Sequence, residues 1–109
     1  LPFMKGIYSA VACRVPVICG SLIYISAEIS HVFSTNEVRN IFRSAQNRIL
    51  QYTEEPLVSS DIIGNSHSAI IDEEFTRVVD KTVNVMAWYD NEWAYANRLA
   101  ELALYIGSL

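Results

Sequence analysis

The sequence predicts an α+β fold, a mixed and largely antiparallel sheet carrying two main helices. Three observations lead there. Ser21 to Ser30 alternates with period two, placing Ile23, Ile25, Ala27 and Ile29 on one side and Tyr24, Ser26, Glu28 and Ser30 on the other. That is the pattern of a half-exposed strand. Ser34-Thr35-Asn36-Glu37 reads as a capping box ahead of apolar residues at helical spacing. Strand-like segments also outnumber helix-like ones, and most neighbouring strands are close enough to be joined as hairpins. The piece from Ser21 to Thr53 leaves room for a crossover, hence a mixed sheet.

Lys5 to Pro16 reads as extended, stopping at Arg14-Val15-Pro16, because a proline biases the residue before it towards β geometry. After the Ser21–Ser30 strand, Phe33 and Val38 are spaced as a hydrophobic staple around the capping box. Val38, Ile41, Phe42, Ala45 and Ile49 then form the inner face of an amphipathic helix, with Arg39, Asn40, Arg43, Gln46 and Asn47 outward. Ile49 to Thr53 reads as a short strand ended by Glu54-Glu55-Pro56. Residues 59 to 68 read as a loop, with turn chemistry at Gly64-Asn65-Ser66. Ser68 to Asp72, Phe75 to Val79 and Val83 to Tyr89 read as three strands, the last rich in Val and aromatic residues. Asp90 or Asn91 can cap a final helix running to about Ile106, with Gly107 as its stop. That helix has a narrow polar stripe, Asn97, Glu101 and Tyr105, with Leu99, Ala100, Leu102, Ala103, Leu104 and Ile106 over most of the rest, so it is expected to lie buried between layers or domains.

Composition narrows the function classes. The chain has 109 residues, 51% of them hydrophobic and only 18% charged, against a usual charged share of about 25%. That excludes a disordered tail and points to more apolar surface than one small domain hides. The net charge of −4 and the scattered basic residues, with only Arg39, Arg43 and Arg48 close together, argue against nucleic acid as a partner. No apolar run approaches the ~20 residues of a membrane helix. Two cysteines fit a reducing compartment better than a disulfide framework. The opening Leu1-Pro2-Phe3, without an initiator Met or a signal pattern, is expected to be the interior of a longer protein.

Few residues announce chemistry by pattern alone. Cys13 and Cys19 lack the further ligands of a metal site and read as reduced structural thiols. His31 and His67 read as ordinary loop histidines, and Glu54-Glu55 and Asp72-Glu73-Glu74 as solvated rims. Arg14 is a fixed cation near the end of an apolar strand, open to phosphate binding or to an ion pair. Trp88-Tyr89-Asp90-Asn91-Glu92-Trp93 gathers aromatic and polar groups at a strand-to-helix junction, where α/β proteins often bind ligands.

The segment Trp88-Tyr89-Asp90-Asn91-Glu92-Trp93-Ala94-Tyr95-Ala96-Asn97-Arg98 resembles the W-Y-D-N-E-W-G-Y-S-N-R motif of the glyceraldehyde-3-phosphate dehydrogenase family. Tyr52-Thr53-Glu54 with Val58-Ser59-Ser60-Asp61 is similar to that family's Y-T-E…V-S-S-D. Gly64-Asn65-Ser66-His67-Ser68 is similar to its G-D-S-H-S. Leu1-Pro2…Gly6 and Arg14-Val15-Pro16 match its L-P…G and R-V-P. The motifs occur in family order, so residues 1–109 as a whole resemble the C-terminal portion of the catalytic domain. The family's Rossmann domain, its S-C-T-T-N nucleophile segment and its catalytic His all lie outside the match.

In that family a thiolate attacks the aldehyde, hydride passes to NAD, and phosphate releases the acyl group. The resemblance implies no catalytic Cys or His and no metal here, but supporting residues. Arg14 falls where the substrate phosphate is bound. Asn91 falls where the nicotinamide carboxamide is held, and Tyr95 falls at the nicotinamide end, with Tyr89 as a further candidate. It also implies a phosphorylated aldehyde as substrate and NAD as cofactor, with NADP open because the ribose contacts belong to the absent dinucleotide-binding domain. A homotetrameric, cytoplasmic parent enzyme of glycolysis, inactive as this chain alone, completes the implication. Val17 replaces a common Thr, Tyr24 a common Asp, and Ala94 and Ala96 a Gly and a Ser. Val17 and Tyr24 bear on the hydrogen bonding of the first strand, whereas the alanines suit a helix. A sister enzyme, erythrose-4-phosphate dehydrogenase, and a non-catalytic assembly module are the alternative readings. The apolar surplus predicts that the purified 109-residue chain self-associates, and a sharp monomeric gel-filtration peak at high concentration would contradict this.

Overall fold

The computed structural model describes residues 2–109. Leu1, the first residue of the Leu1-Pro2…Gly6 match, lies outside the described residues. After a 3₁₀ turn at Pro2–Met4, the elements are β1 (Ser21–Glu28), α1 (Thr35–Ser44), β2 (Leu50–Thr53), β3 (Ala69–Val79), β4 (Thr82–Tyr89) and α2 (Trp93–Gly107). The four strands form one sheet in the order β1-β4-β3-β2. β1 runs antiparallel to β4 and β3 antiparallel to β4, while β2 lies parallel to β3. The sheet is therefore mixed and largely antiparallel, as the pattern predicts.

Register decides which side chains share a face. Tyr52 stands beside Ile71, Ile71 beside Ala87, and Val85 beside Ile25. Tyr52, Ile71, Val85 and Ala87 form the core, with Leu50, Ala69, Val83 and Phe42 of α1 packed against it. The capping box forms as expected: Glu37 N–H donates to Ser34 Oγ, and Ser34 N–H donates to a Glu37 carboxylate oxygen at 2.7 Å. That backbone donor, then the Ser34 hydroxyl, holds the Glu37 carboxyl below its ordinary range. α1 stops at Ser44, so Ile49 is not on it. Asn47 Oδ1 instead accepts Ile49 N–H and Leu50 N–H, turning the chain directly into β2.

Ser68–Asp72 and Phe75–Val79 are one strand, not two. Between the Asp72–Met86 and Arg77–Asn84 pairs, the four residues Glu73 to Thr76 stand opposite Val85 alone. The excursion adds an odd number of residues, so the side-chain alternation inverts across it. The inversion makes one strand read as two. Its displaced carbonyls still need donors. Arg39 supplies them, with Nε donating to Thr76 O at 3.2 Å and Nη2 to Glu73 O at 2.9 Å. Its guanidinium also lies 3.5 Å from the Glu73 carboxylate. Arg39 therefore points at the sheet and not outward. The acidic run is likewise no simple rim: Asp72 is buried and accepts the Trp88 indole N–H at 3.2 Å. Glu73 pairs with Arg43 and accepts the Tyr52 hydroxyl at 2.6 Å.

Much of the chain stays uncovered. Its accessible surface is 8223 Å², against about 6,100 Å² for a closed monomer of this mass. Its radius of gyration is 15.7 Å, against about 13 Å. Three regions account for the excess. Residues 8–17, expected to be extended up to Pro16, join no strand of the described sheet. β1 is an edge strand, and Leu22 to Ile25 are each about half exposed despite its period-two pattern. α2, expected to be buried, buries only Ala94. Tyr24, where the family pattern has Asp, keeps a polar contact by donating to Asn84 Oδ1 at 2.9 Å, and β1 pairs along its whole length.

Removing the Arg39 side chain strands the carbonyls of Glu73 and Thr76 and takes one of two arginines from the Glu73 carboxylate. We expect Arg39→Ala to cost about 2 kcal/mol, read as a lower urea midpoint with an unchanged slope.

Candidate functional site

The junction between β4 and α2 is built around one carboxylate. Asp90 is buried, and its Oδ1 accepts the N–H groups of Glu92 (2.9 Å) and Trp93 (2.7 Å). Its Oδ2 accepts Gly64 N–H at 2.9 Å. Asp90, and not Asn91, thus satisfies the opening donors of α2. The backbone donors of Trp93 and Gly64 hold the Asp90 carboxyl below its ordinary range.

The segment ahead of β1 arrives beside this junction. Gly20 adopts φ +91°, and a Cβ there would lie 2.9 Å from Ile62 Cδ1 and 3.0 Å from Ser59 O. Only glycine fits this passage over the 59–62 loop. On either side of it, Cys19 Sγ donates to Glu92 Oε2 at 3.4 Å and Ser21 Oγ donates to Asn91 Oδ1 at 2.9 Å.

Above the junction lies a cleft of about 280 Å³ lined by Ser68, Tyr89, Asp90, Asn91, Ala94, Tyr95 and Arg98. Arg98 braces its wall: Nη1 donates to Arg48 O and Ser68 Oγ, and Nη2 to Glu101 Oε1 at 2.7 Å. The Arg98 Nε–H has no partner among the described residues. The cleft gathers Asn91, Tyr95 and Tyr89, three of the four positions singled out in the sequence. Ser21, Ser68 and Arg98 were not foreseen. Apart from the Arg98–Glu101 pair, their contacts join residues 30 to 70 positions apart, which no local pattern records.

Arg14 does not line the cleft. It is exposed, lies in an irregular segment and not at a strand end, and makes no ion pair among the described residues. His31 contacts Ser30 Oγ through Nδ1, and His67 contacts Asn65 Oδ1. Neither lines the cleft. Cys13 and Cys19 are free thiols. Desolvation, then the hydrogen bond to Glu92, pushes the Cys19 thiol up, which disfavours the nucleophilic thiolate. Ligand atoms of Cys19, Asp90 and Glu92 lie within 4.8 Å of one another. In this structure the Asp90 oxygens serve backbone N–H groups and Glu92 serves the thiol, so the cluster acts as an internal clasp.

The family model for the C-terminal domain of glyceraldehyde 3-phosphate dehydrogenase matches residues 1–91. The chain belongs to this family. Curated relatives carry the match to the remaining residues. The glyceraldehyde-3-phosphate dehydrogenase of Mycobacterium leprae is 40% identical over 111 residues, covering 98% of this chain and 33% of its own length. Glyceraldehyde-3-phosphate dehydrogenase 1 of Streptomyces avermitilis is 42% identical with the same coverage. That of Mycobacterium tuberculosis is 39% identical. The chain therefore spans a third of the length of the curated relatives it matches. The matched residues 1–91 fall in the family's C-terminal domain, and the α+β sheet described above is consistent with it. No helix among the described residues is long and apolar enough to cross a membrane.

The Asp90 geometry has a pH consequence. A folded-state carboxyl depressed below its unfolded value of about 3.9 contributes stability above that value and loses it as pH falls through the folded value. Asp90→Asn should lower the unfolding midpoint at pH 7. The gap from the parent should close as pH drops below about 4. A gap constant between pH 7 and pH 3 would contradict the role given to this charge.

Proposed function

We propose that residues 1–109 form the C-terminal portion of the catalytic domain of an NAD-dependent, phosphorylating glyceraldehyde-3-phosphate dehydrogenase. The observation that carries this reading is the cleft at the end of β4, where Asn91 and Tyr95 line one wall system with Tyr89. The relatives' names supply the substrate and the reaction class.

The cleft's chemistry fits a nicotinamide. It offers an amide whose Oδ1 is engaged by Ser21, aromatic rings at Tyr89 and Tyr95, and an Arg98 guanidinium paired with Glu101. When bound, NAD supplies the hydride acceptor. Asn91 would hold the carboxamide and so select the ring face presented, while Tyr95 and Tyr89 would flank the ring and exclude water. Arg14, exposed and without an ion pair among the described residues, would clamp the substrate phosphate through its planar fork of donors. The nucleophile and the base would come from elsewhere in the polypeptide, since Cys19 is held as a thiol and neither histidine is among the residues lining the cleft. The exposed apolar residues of β1 and α2 support a parent in which other domains and subunits of a homotetramer cover them. A cytoplasmic location follows from the same reading.

The 109 residues alone should form no NADH from glyceraldehyde-3-phosphate, NAD and phosphate. In the longer polypeptide this reading requires, Asn91→Ala should raise KM for NAD about 10-fold. Arg14→Ala should raise KM for the aldehyde phosphate about 10-fold or more with KM for NAD unchanged. NADH formation by the chain alone, or wild-type KM values in both variants, would sink the proposal.

A further inference from the structure

Asn91 reaches the cleft from a short exposed turn, and a primary amide on such a turn can present either its oxygen or its nitrogen. We propose that Ser21 is the positioning residue that sets which one. Its hydroxyl donates to Asn91 Oδ1 at 2.9 Å and is the only hydrogen-bond partner of the Asn91 side chain among the described residues. With Oδ1 occupied, Nδ2–H₂ is the group left free to meet a ligand. The cleft then reads the carbonyl oxygen of a carboxamide and not its NH₂. This inference rests on the nicotinamide reading of the cleft and deepens it.

Three observations make Ser21 suited to the task. Its backbone is locked in register at the first β1–β4 pair, Ser21 beside Tyr89, itself a cleft residue. The residue before it, Gly20, is pinned against Ile62 and Ser59 O with no room for a Cβ. On the far side of that glycine, Cys19 Sγ contacts Glu92, so two rungs, Cys19–Glu92 and Ser21–Asn91, hold adjacent residues of the junction. Asn91 itself follows Asp90, whose carboxylate fixes the backbone of the next two residues, Glu92 and Trp93, and ties the turn to Gly64. The backbone of both partners is therefore set, and the hydroxyl, donating to Oδ1, occupies the amide oxygen and leaves Nδ2–H₂ free.

The test uses NAD and its thionicotinamide analogue, in which sulfur, a weaker acceptor, replaces the carboxamide oxygen. Steady-state KM values are measured in the longer polypeptide for the parent, Ser21→Ala, Ser21→Thr and Asn91→Ala. KM does not depend on how much of a preparation is folded. The parent should disfavour the thio analogue. Ser21→Ala should raise KM for NAD about 2- to 10-fold, the worth of one neutral hydrogen bond, and bring the thio-NAD to NAD ratio towards one. Ser21→Thr, which keeps the hydroxyl, should restore the ratio. If Asn91→Ala changes KM for NAD but Ser21→Ala leaves the ratio at the parent value, the positioning role is overturned while the nicotinamide reading stands. If Asn91→Ala leaves KM for NAD unchanged, both fall.

Discussion

The Asp90 carboxylate is the contact on which the functional end of the chain depends. It is one buried charge that answers three backbone donors from two places, Gly64 in the long loop and Glu92 and Trp93 at the start of α2. A buried carboxylate is tolerable only when its lone pairs are taken, and here backbone dipoles take them. The loop, the end of β4 and the first turn of α2 are thereby referred to one atom group. The cleft is the space left between them. Asn91 is held in it by its neighbour as much as by its own contacts.

At the other end of the sheet a positive charge plays the matching part. The excursion of β3 leaves carbonyls that no strand can pair, and Arg39 from α1 fills the gap. Thr35 adds a second tie by accepting Val78 N–H through its hydroxyl at 3.1 Å. Arg43 stacks over the Tyr52 ring at 5.3 Å and bridges Glu54 and Glu73. Burial, then the hydrogen bond to Glu73, pushes the Tyr52 hydroxyl far up, so it remains a donor at any ordinary pH. Helix and sheet are joined by apolar packing through Phe42 and by this polar seam beside it.

The legible parts of the fold were those whose cause is local. The capping box at Ser34, the alternation of β1 and the Val-rich run of β4 each follow from neighbours within four residues, and each is present. What the sequence concealed was long-range. The β3 excursion inverts the alternation, so one strand reads as two. Arg39 is polar and at an outward-looking position, yet it turns to carbonyls that only the folded sheet brings near. The site divides in the same way. Asn91 and Tyr95 belong to one contiguous motif and share the cleft, whereas Ser68 lines it from 23 residues before Asn91 and Ser21, 70 residues before, touches Asn91 itself. The apolar surface of α2 led to an expectation of burial that the structure does not meet, since only Ala94 of that helix is buried.

The position of β1 in the sheet has a consequence for synthesis. Ser21 pairs with Tyr89, 68 residues later in the chain. At about 5–20 residues per second, β1 waits roughly 3–14 s for its partner after leaving the ribosome. During that interval a strand bearing Leu22, Ile23 and Ile25 has neither backbone nor side-chain cover. Glu28 at its end and the serines and tyrosine along one face are its only protection against pairing with a neighbouring nascent copy. Substitutions that make Tyr24 or Ser26 apolar would therefore reduce the yield of folded protein even where the finished sheet tolerates them.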